Sequence, residues 1–277
     1  MAKLPINTNT LQYQLDHMTY PIKRRGKRLG MAQLGEECKR KLWYSFRWAT
    51  VKTRLEGRAK HIFGLGDAIE EQIVMALKQL GIEVFDQQQG FAGFSGHAYG
   101  YIDGKLLGVP EAPKTIHLLE AKSMKDKFFK KLIRLGLQAT YPKHVSQCQR
   151  YMAANKLDRC IYIAYNKDTS EIHVIRLRAD KAKQQDALRV EMEVIFAEEP
   201  PEQRYDGPKN YGCTFCDHKD TCWNGVPMEK SCRSCIHIEL EEAGEWSCQH
   251  PAVIGSDRML SFEAQQIGCE RWREIGS

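Results

Sequence analysis

The 277-residue chain contains no run of about eighteen apolar residues, so no ordinary membrane-spanning helix is expected. The segment Met1-Ala2-Lys3-Leu4-Pro5-Ile6-Asn7-Thr8 lacks the apolar core of a secretory signal, and the expected location is the cytoplasm. There are no internal repeats and no low-complexity tracts, which excludes solenoid and linker-like architectures. Neither sign of charge prevails. Lys and Arg number 41 against 35 Asp and Glu, a net charge of +6. The basic residues concentrate in Lys23-Arg24-Arg25-Gly26-Lys27-Arg28 and in the stretch from Lys122 to Arg134. Such patches suit a polyanionic partner, although any single lysine among them is an ordinary solvated charge.

Hydrophobic content of 42% and charged content of 27% are those of a globular protein, and the length suits one full core with a small appendage. Cysteine is the abundant exception. There are ten, and seven lie beyond position 210, mostly in close pairs. In a reducing compartment that clustering points to metal rather than to disulfides.

Residues 1–30 read as irregular and basic. A helical pattern runs from Gly35 to about Thr53, with Cys38, Leu42, Trp43 and Phe46 on one side. A second helix is expected from Gly66 to Leu80, with Ile69, Ile73, Val74 and Leu77 as its stripe and Gly81 as its stop. Strands are expected at Ile82 to Phe85, His97 to Leu107 and Thr115 to Lys122. Lys125 to Leu137 reads as helix or loop, and Lys143 to Ala154 as a helix. Cys160 to Tyr165 and Glu171 to Leu177 read as two strands joined at Asn166-Lys167-Asp168. Ala179 to Ala197 completes the core as a helix with Ala187, Val190, Met192 and Ile195 inside, stopped by Pro200-Pro201. The order predicts an α/β core.

The chemistry-bearing pattern is Asp103, in Gly100-Tyr101-Ile102-Asp103-Gly104, and Glu120-Ala121-Lys122, which closes the apolar run Ile116-His117-Leu118-Leu119. Side chains alternate along a strand, so Glu120 and Lys122 project together. Two carboxylates suit a hard cation such as Mg²⁺, and a neighbouring ammonium can orient water and offset phosphate charge. The bland alternative is a pair of solvated strand-edge charges. Glu70 is a candidate third carboxylate, or an exposed helix charge beside Glu71. Gln147 and Tyr151, four apart, share a helix face with His144 one turn earlier. They suit contact with a nucleic-acid backbone or with the lysine, or else a partly buried amphipathic face.

Together these positions resemble the PD-(D/E)XK nuclease superfamily, in particular its RecB-like exonuclease branch. Gly66-Asp67-Ala68-Ile69-Glu70 resembles the first-helix glutamate motif, and Gly100 to Gly104 the aspartate motif. Glu120-Ala121-Lys122 resembles the Glu-x-Lys motif, and Gln147-Cys148-Gln149-Arg150-Tyr151 the Gln-x-x-x-Tyr helix. Cys38-Lys39-Arg40-Lys41-Leu42-Trp43-Tyr44 resembles the opening cysteine segment. One departure is that Asp67, rather than a histidine, stands nearest Glu70. His61 is further off, and His97 is a candidate near the site or a structural residue. The resemblance covers about residues 35 to 225. It implies a restriction-endonuclease-like central mixed sheet flanked by helices, acting as a DNA nuclease. Asp103 and Glu120 would bind Mg²⁺ or Mn²⁺ with the Ala121 carbonyl, and Glu70 would bind directly or through water. Lys122 would position the attacking water, and Gln147 and Tyr151 would support Lys122 or the strand backbone. An exonuclease on single strands or duplex ends is implied, in recombination, repair, phage or CRISPR DNA processing, with a helicase or recombination partner.

Cys213-x2-Cys216-x5-Cys222 is one thiolate short of a closed site. In the iron–sulfur members of this branch, such as CRISPR-associated adaptation nucleases and AddB-type helicase–nucleases, one cysteine precedes the core and three follow. Cys38 with Cys213, Cys216 and Cys222 resembles that arrangement, which implies a [4Fe–4S] cluster. Zinc is the alternative, with His218 able to replace Cys38. A second set, Cys232-x2-Cys235 with Cys248 and Cys269, reads as structural zinc in a small zinc-ribbon-like module. His237 or His250 can replace one of its thiolates. Cys148 and Cys160 read as ordinary buried residues. The expected organisation is a basic segment (1–34), a nuclease domain (35–225) and a cysteine-rich module (226–277). Two rivals remain: a non-catalytic nucleic-acid-binding protein held by two metal sites, and a transcription- or replication-associated zinc protein.

Overall fold

The apolar stretches at 117–121 and 160–165 become the two central strands of a mixed sheet. The structure, a computed structural model, describes residue 8 and residues 10–21, 26–50 and 54–276. The elements that matter for the site begin with α1 (Lys39–Phe46), α2 (Gly57–Gln79), β1 (Glu83–Phe85), β2 (Gly90–Ala92), β3 (Ala98–Tyr101), β4 (Gly104–Leu107) and β5 (His117–Met124). They continue with α3 (Asp126–Leu135), α4 (Pro142–Ala154), β6 (Arg159–Asn166), β7 (Ile172–Arg178), α5 (Lys181–Ile195), β8 (Ile238–Leu240) and β9 (Trp246–Cys248).

The main sheet has the order β7-β6-β5-β4-β1. β5 and β6 are parallel, with Glu120 opposite Tyr162 and Lys122 opposite Ala164, and the other neighbours are antiparallel. β6 is covered on both faces, which is why it is a continuous apolar run. β7, at the edge, alternates: Ile172 and Val174 face out while Ile175 and Leu177 pack inward. On one face, Ile69, Ile73 and Val74 of α2 pack on Leu106, Leu119, Ile161 and Ile163. On the other, Trp43, Cys148 and Met152 pack with Leu118 and Tyr162. The expected mixed sheet between helices is therefore present.

Several elements differ from the sequence expectation. α2 starts at Gly57 rather than Gly66. Its early turns leave Ile62, Phe63 and Leu65 exposed, so they carry no stripe to read. α1 is shorter than 35–53 because Trp48 turns the chain at φ 55. Residues 97–107 form two strands in different sheets, since β3 pairs with β2 and with Leu29–Gly30. The N-terminal stretch is not wholly irregular: a helix spans Leu11–His17, capped by Thr10, and Thr19–Pro21 pairs with Arg54–Glu56. Lys23 to Arg25 lie outside the described residues. In α5, Ala187 and Ile195 are buried as expected and Val190 and Met192 are half-buried, but Glu191 and Val194 are buried as completely as Ile195. Glu191 can sit there because Arg150 meets it at 2.7 Å.

Residues 226–277 do not stand apart from the core. Ile238, Trp246 and Ile275 belong to the same apolar cluster as Trp43 and Phe46, with the Phe46 and Trp246 rings 5.1 Å apart. No helix among the described residues is long and apolar enough to cross a membrane.

Candidate active site

Asp103 stands at the bend where the chain leaves β3 in one sheet for β4 in the other. Its Oδ2 accepts a hydrogen bond from the Ala121 N–H at 2.7 Å, which ties the bend to the end of the apolar part of β5. Glu120 and Lys122 share the β5 face that looks toward α4, as alternation requires. Lys122 Nζ forms an ion pair with Glu120 Oε1, lies 4.0 Å from Asp103 Oδ2 and donates to the Ala121 carbonyl at 3.2 Å. Gln147 Nε2 also donates to Glu120 Oε1, at 2.8 Å. Glu120 is fully buried, and its Oε2 has no hydrogen-bonding partner among the described residues. An unpaired carboxylate oxygen in such a place needs a proton or a cation.

Electrostatics sharpen that requirement. Burial, with Asp103 and Glu70 adding to it, pushes the Glu120 carboxyl up to about 7 despite Lys122. Burial also raises Asp103, against the pull of Lys122 and the Ala121 N–H. Burial and then Asp103 raise Glu70. Burial opposes the charge on Lys122, but Glu120 and Asp103 overcome it and hold the ammonium firmly protonated. Three carboxyls, each raised mainly by burial, facing one charged ammonium form a site short of positive charge.

α4 supplies the second layer of contacts. His144 Nδ1 lies 2.8 Å from the Tyr162 hydroxyl, and burial followed by Lys122 and Lys143 pushes its imidazole down to about 4. His144 is therefore neutral at ordinary pH. Tyr151 packs edge-on against Phe91, with ring centroids 5.0 Å apart. Gly100 makes room for it: a Cβ there would stand 3.0 Å from Tyr151 Cε1 and 2.9 Å from Phe91 Cζ. The shared face expected of His144, Gln147 and Tyr151 is thus turned toward Glu120 and Tyr162.

A cleft of about 720 Å³ is lined by Asp67, Glu70, Asp103, Gln147 and Tyr151 of this group and by Lys27, Arg28 and Tyr101. Glu70 is oriented by Gln88, whose Nε2 donates to Oε1 at 2.7 Å. Sequence reasoning did not single out Gln88 or Tyr162. Neither had a signal, one lying in the run Gln87-Gln88-Gln89 and the other inside an apolar strand. His97 is not at the site. It is buried behind the cleft, with Nε2 2.8 Å from the Glu241 carbonyl, and takes the structural option. His61 is exposed.

None of the ten cysteines is paired in a disulfide. Cys38, Cys213, Cys216 and Cys222 line one small cavity of about 20 Å³, together with His218 and Gln203. Gln203 Nε2 lies 3.7 Å from Cys222 Sγ. His218 Nε2 lies 2.9 Å from the Ser45 hydroxyl. Cys232, Cys235, Cys248 and Cys269 line a second cavity of about 40 Å³ with His237 and His250. Burial, and then the neighbouring Cys269, Cys235 and Cys248, push the Cys232 thiol up to about 11. Among the described residues, no three His, Cys, Asp or Glu side chains are drawn together closely enough to hold an ion as they stand. The thiols surround each cavity without closing on it. Cys148 and Cys160 are buried in the core, as expected.

No protein-family model matches the sequence. No curated protein matches it either. Among solved structures, the fold is similar to LHK-Exo in complex with dAMP, at 15% identity and a TM-score of 0.45 over 62% of this chain and 87% of that one. It is similar to the alkaline exonuclease LHK-Exo from Laribacter hongkongensis at 14% identity and a TM-score of 0.45, over 62% and 89% of the two chains. A third similarity is to SSO0001, at 16% identity and a TM-score of 0.43, over 76% of this chain and 91% of that one.

Proposed function

We propose that the protein is a divalent-metal-dependent deoxyribonuclease, an exonuclease acting on single strands or duplex ends. The observation that carries this reading is the fully buried Glu120 with an Oε2 unpartnered among the described residues, held by Lys122 and by Gln147, which with Asp103 lines a cleft that Lys27 and Arg28 also line. The donor set fits Mg²⁺ or Mn²⁺, which prefer carboxylate and carbonyl oxygen. Asp103 and Glu120 would hold the ion, with the Ala121 carbonyl and Glu70 able to complete the set. A bound ion of this kind polarises a phosphodiester and makes a bound water more acidic. Lys122, kept charged by its two carboxylate neighbours, orients water and offsets charge on the phosphate. Gln147 holds the Glu120 carboxylate in place, and Tyr151 braces the α4 face.

The cysteine sets belong to the same proposal as stabilising groups. Thiolate-only sites suit a [4Fe–4S] cluster or zinc at Cys38, Cys213, Cys216 and Cys222, and zinc at Cys232, Cys235, Cys248 and Cys269. The first would pin the 213–222 segment to the N-terminus of α1, closing a domain of residues 35–225. The second would staple the 226–277 module. Anaerobic purification followed by iron and zinc analysis and visible absorbance distinguishes the choices, and Cys38→Ser should lower the content of the first site.

The deciding experiment is degradation of end-labelled single- and double-stranded DNA with Mg²⁺ or Mn²⁺, comparing wild type with Glu120→Ala and Lys122→Ala. Cleavage by wild type and none by two folded variants supports the proposal. Binding without cleavage under either metal refutes it and leaves a nucleic-acid-binding protein.

A further inference from the structure

Lys27 and Arg28, at the basic wall of the cleft, are held from behind by the C-terminal segment. Arg233 lies between Cys232 and Cys235 and is almost completely buried. Its Nη2 donates to the Lys27 carbonyl at 2.6 Å, and its Nε donates to Gln265 Oε1 at 3.0 Å. Its guanidinium stacks 4.0 Å from the Trp48 ring and 4.6 Å from the Trp246 ring. Trp48 in turn donates through Nε1 to the Gly26 carbonyl at 3.1 Å. Two successive carbonyls are thus fixed by one stacked pair.

The side chains at the wall are held as well. Lys27 Nζ lies over the Phe262 ring at 4.8 Å, and Arg28 Nη2 donates to the Ala243 carbonyl at 3.3 Å. The Ala243–Gly244 turn reaches Arg28 because two glycines allow backbone to meet backbone. Gly96 has φ +76, and a Cβ there would stand 2.6 Å from Gly244 N. Gly244 has φ +81, and a Cβ there would stand 2.9 Å from Arg28 Nε.

Burying a guanidinium with no carboxylate partner among the described residues is costly. A greasy residue would fill the same space more cheaply. What Arg233 adds is a donor directed at Lys27. We infer that the C-terminal segment is a working part of the cleft. Arg233 is a positioning residue that sets Lys27 and Arg28 as a clasp for the phosphodiester backbone of a nucleic acid. The inference deepens the nuclease reading by assigning the substrate-holding wall, but it is tested on binding alone.

The test is fluorescence anisotropy with a labelled DNA oligonucleotide in EDTA, as a function of salt. Lys27→Ala/Arg28→Ala should lower the log–log salt slope by about 1.4–1.8, the loss of two phosphate contacts. Arg233→Met should move the slope in the same direction, and Arg233→Lys should restore part of it. Added to Lys27→Ala/Arg28→Ala, Arg233→Met should cause no further loss. A wild-type slope in Arg233→Met, or a fully additive loss in the triple variant, overturns the inference. Should Arg233→Met fail to fold, Trp48→Phe keeps an aromatic face for Arg233 and removes the donor to Gly26. It should also reduce the slope, and an unchanged slope overturns the inference. Wild type that binds with the expected slope but never cleaves refutes the nuclease reading and leaves the clasp standing.

Discussion

Replacing Glu120 by Gln should make the metal-free protein relatively more stable as pH rises. Folding holds the Glu120 carboxyl at about 7 instead of its ordinary 4.5, mainly through burial. Between those values the folded protein keeps a proton that the unfolded chain has released. Stability from this group is therefore fully present below about 4.5 and is lost as pH rises toward 7. At about 1.4 kcal/mol per pH unit the loss is about 3 kcal/mol, with no solvent screening to discount because the side chain is fully buried. Two histidines slope the other way. His97 and His144, both held near 4 chiefly by burial, gain stability as pH rises through their ordinary range, so the wild-type profile alone is uninformative. They are present in both proteins and cancel in the difference. Urea unfolding in EDTA at several pH values from 5 to 8 should show the Glu120→Gln variant gaining about 2.5 kcal/mol relative to wild type. The offset at pH 5 depends on the lost contacts with Lys122, but the slope belongs to the carboxyl. A flat difference would refute the reasoning. Adding Mn²⁺ at pH 8 should stabilise wild type relative to the variant, because only the carboxylate is stabilised by a cation.

Gln147→Leu removes the donor to Glu120 Oε1; metal affinity by calorimetry should fall about 10–100-fold with the fold intact. Glu191→Ala leaves Arg150 buried and the Phe94 N–H without its acceptor, and should cost about 3–5 kcal/mol in chemical denaturation. Gly100→Ala should cost about 1–3 kcal/mol by crowding Tyr151 and Phe91, and circular dichroism melting will measure it.

The site was legible where its chemistry coincides with a local pattern. Glu120 and Lys122 sit on a strand whose apolar run announces it, and Gln147 and Tyr151 follow helical spacing. Asp103 was legible as a residue but not as a position. The sequence reads as one strand from 97 to 107, and only tertiary pairing divides it between two sheets at the bend that carries the carboxylate. Glu191 was hidden for a similar reason. A carboxylate at a fully buried position of a helix contradicts burial preference until Arg150, from another helix, is known to meet it. The early turns of α2 were missed because solvent-facing turns leave no apolar stripe, and Gln88 because an amide in a polar loop looks like any other.

The bond from Arg233 to Lys27 joins positions 206 residues apart. Chain emerging from a ribosome can pair β4, β5 and β6 well before residue 233 exists. The acidic centre and the tie that holds Lys27 and Arg28 therefore form at different times, the tie only once residue 233 and its surroundings have been made. During synthesis, the protein passes through a state that has its carboxylates in place and lacks the tie behind Lys27 and Arg28.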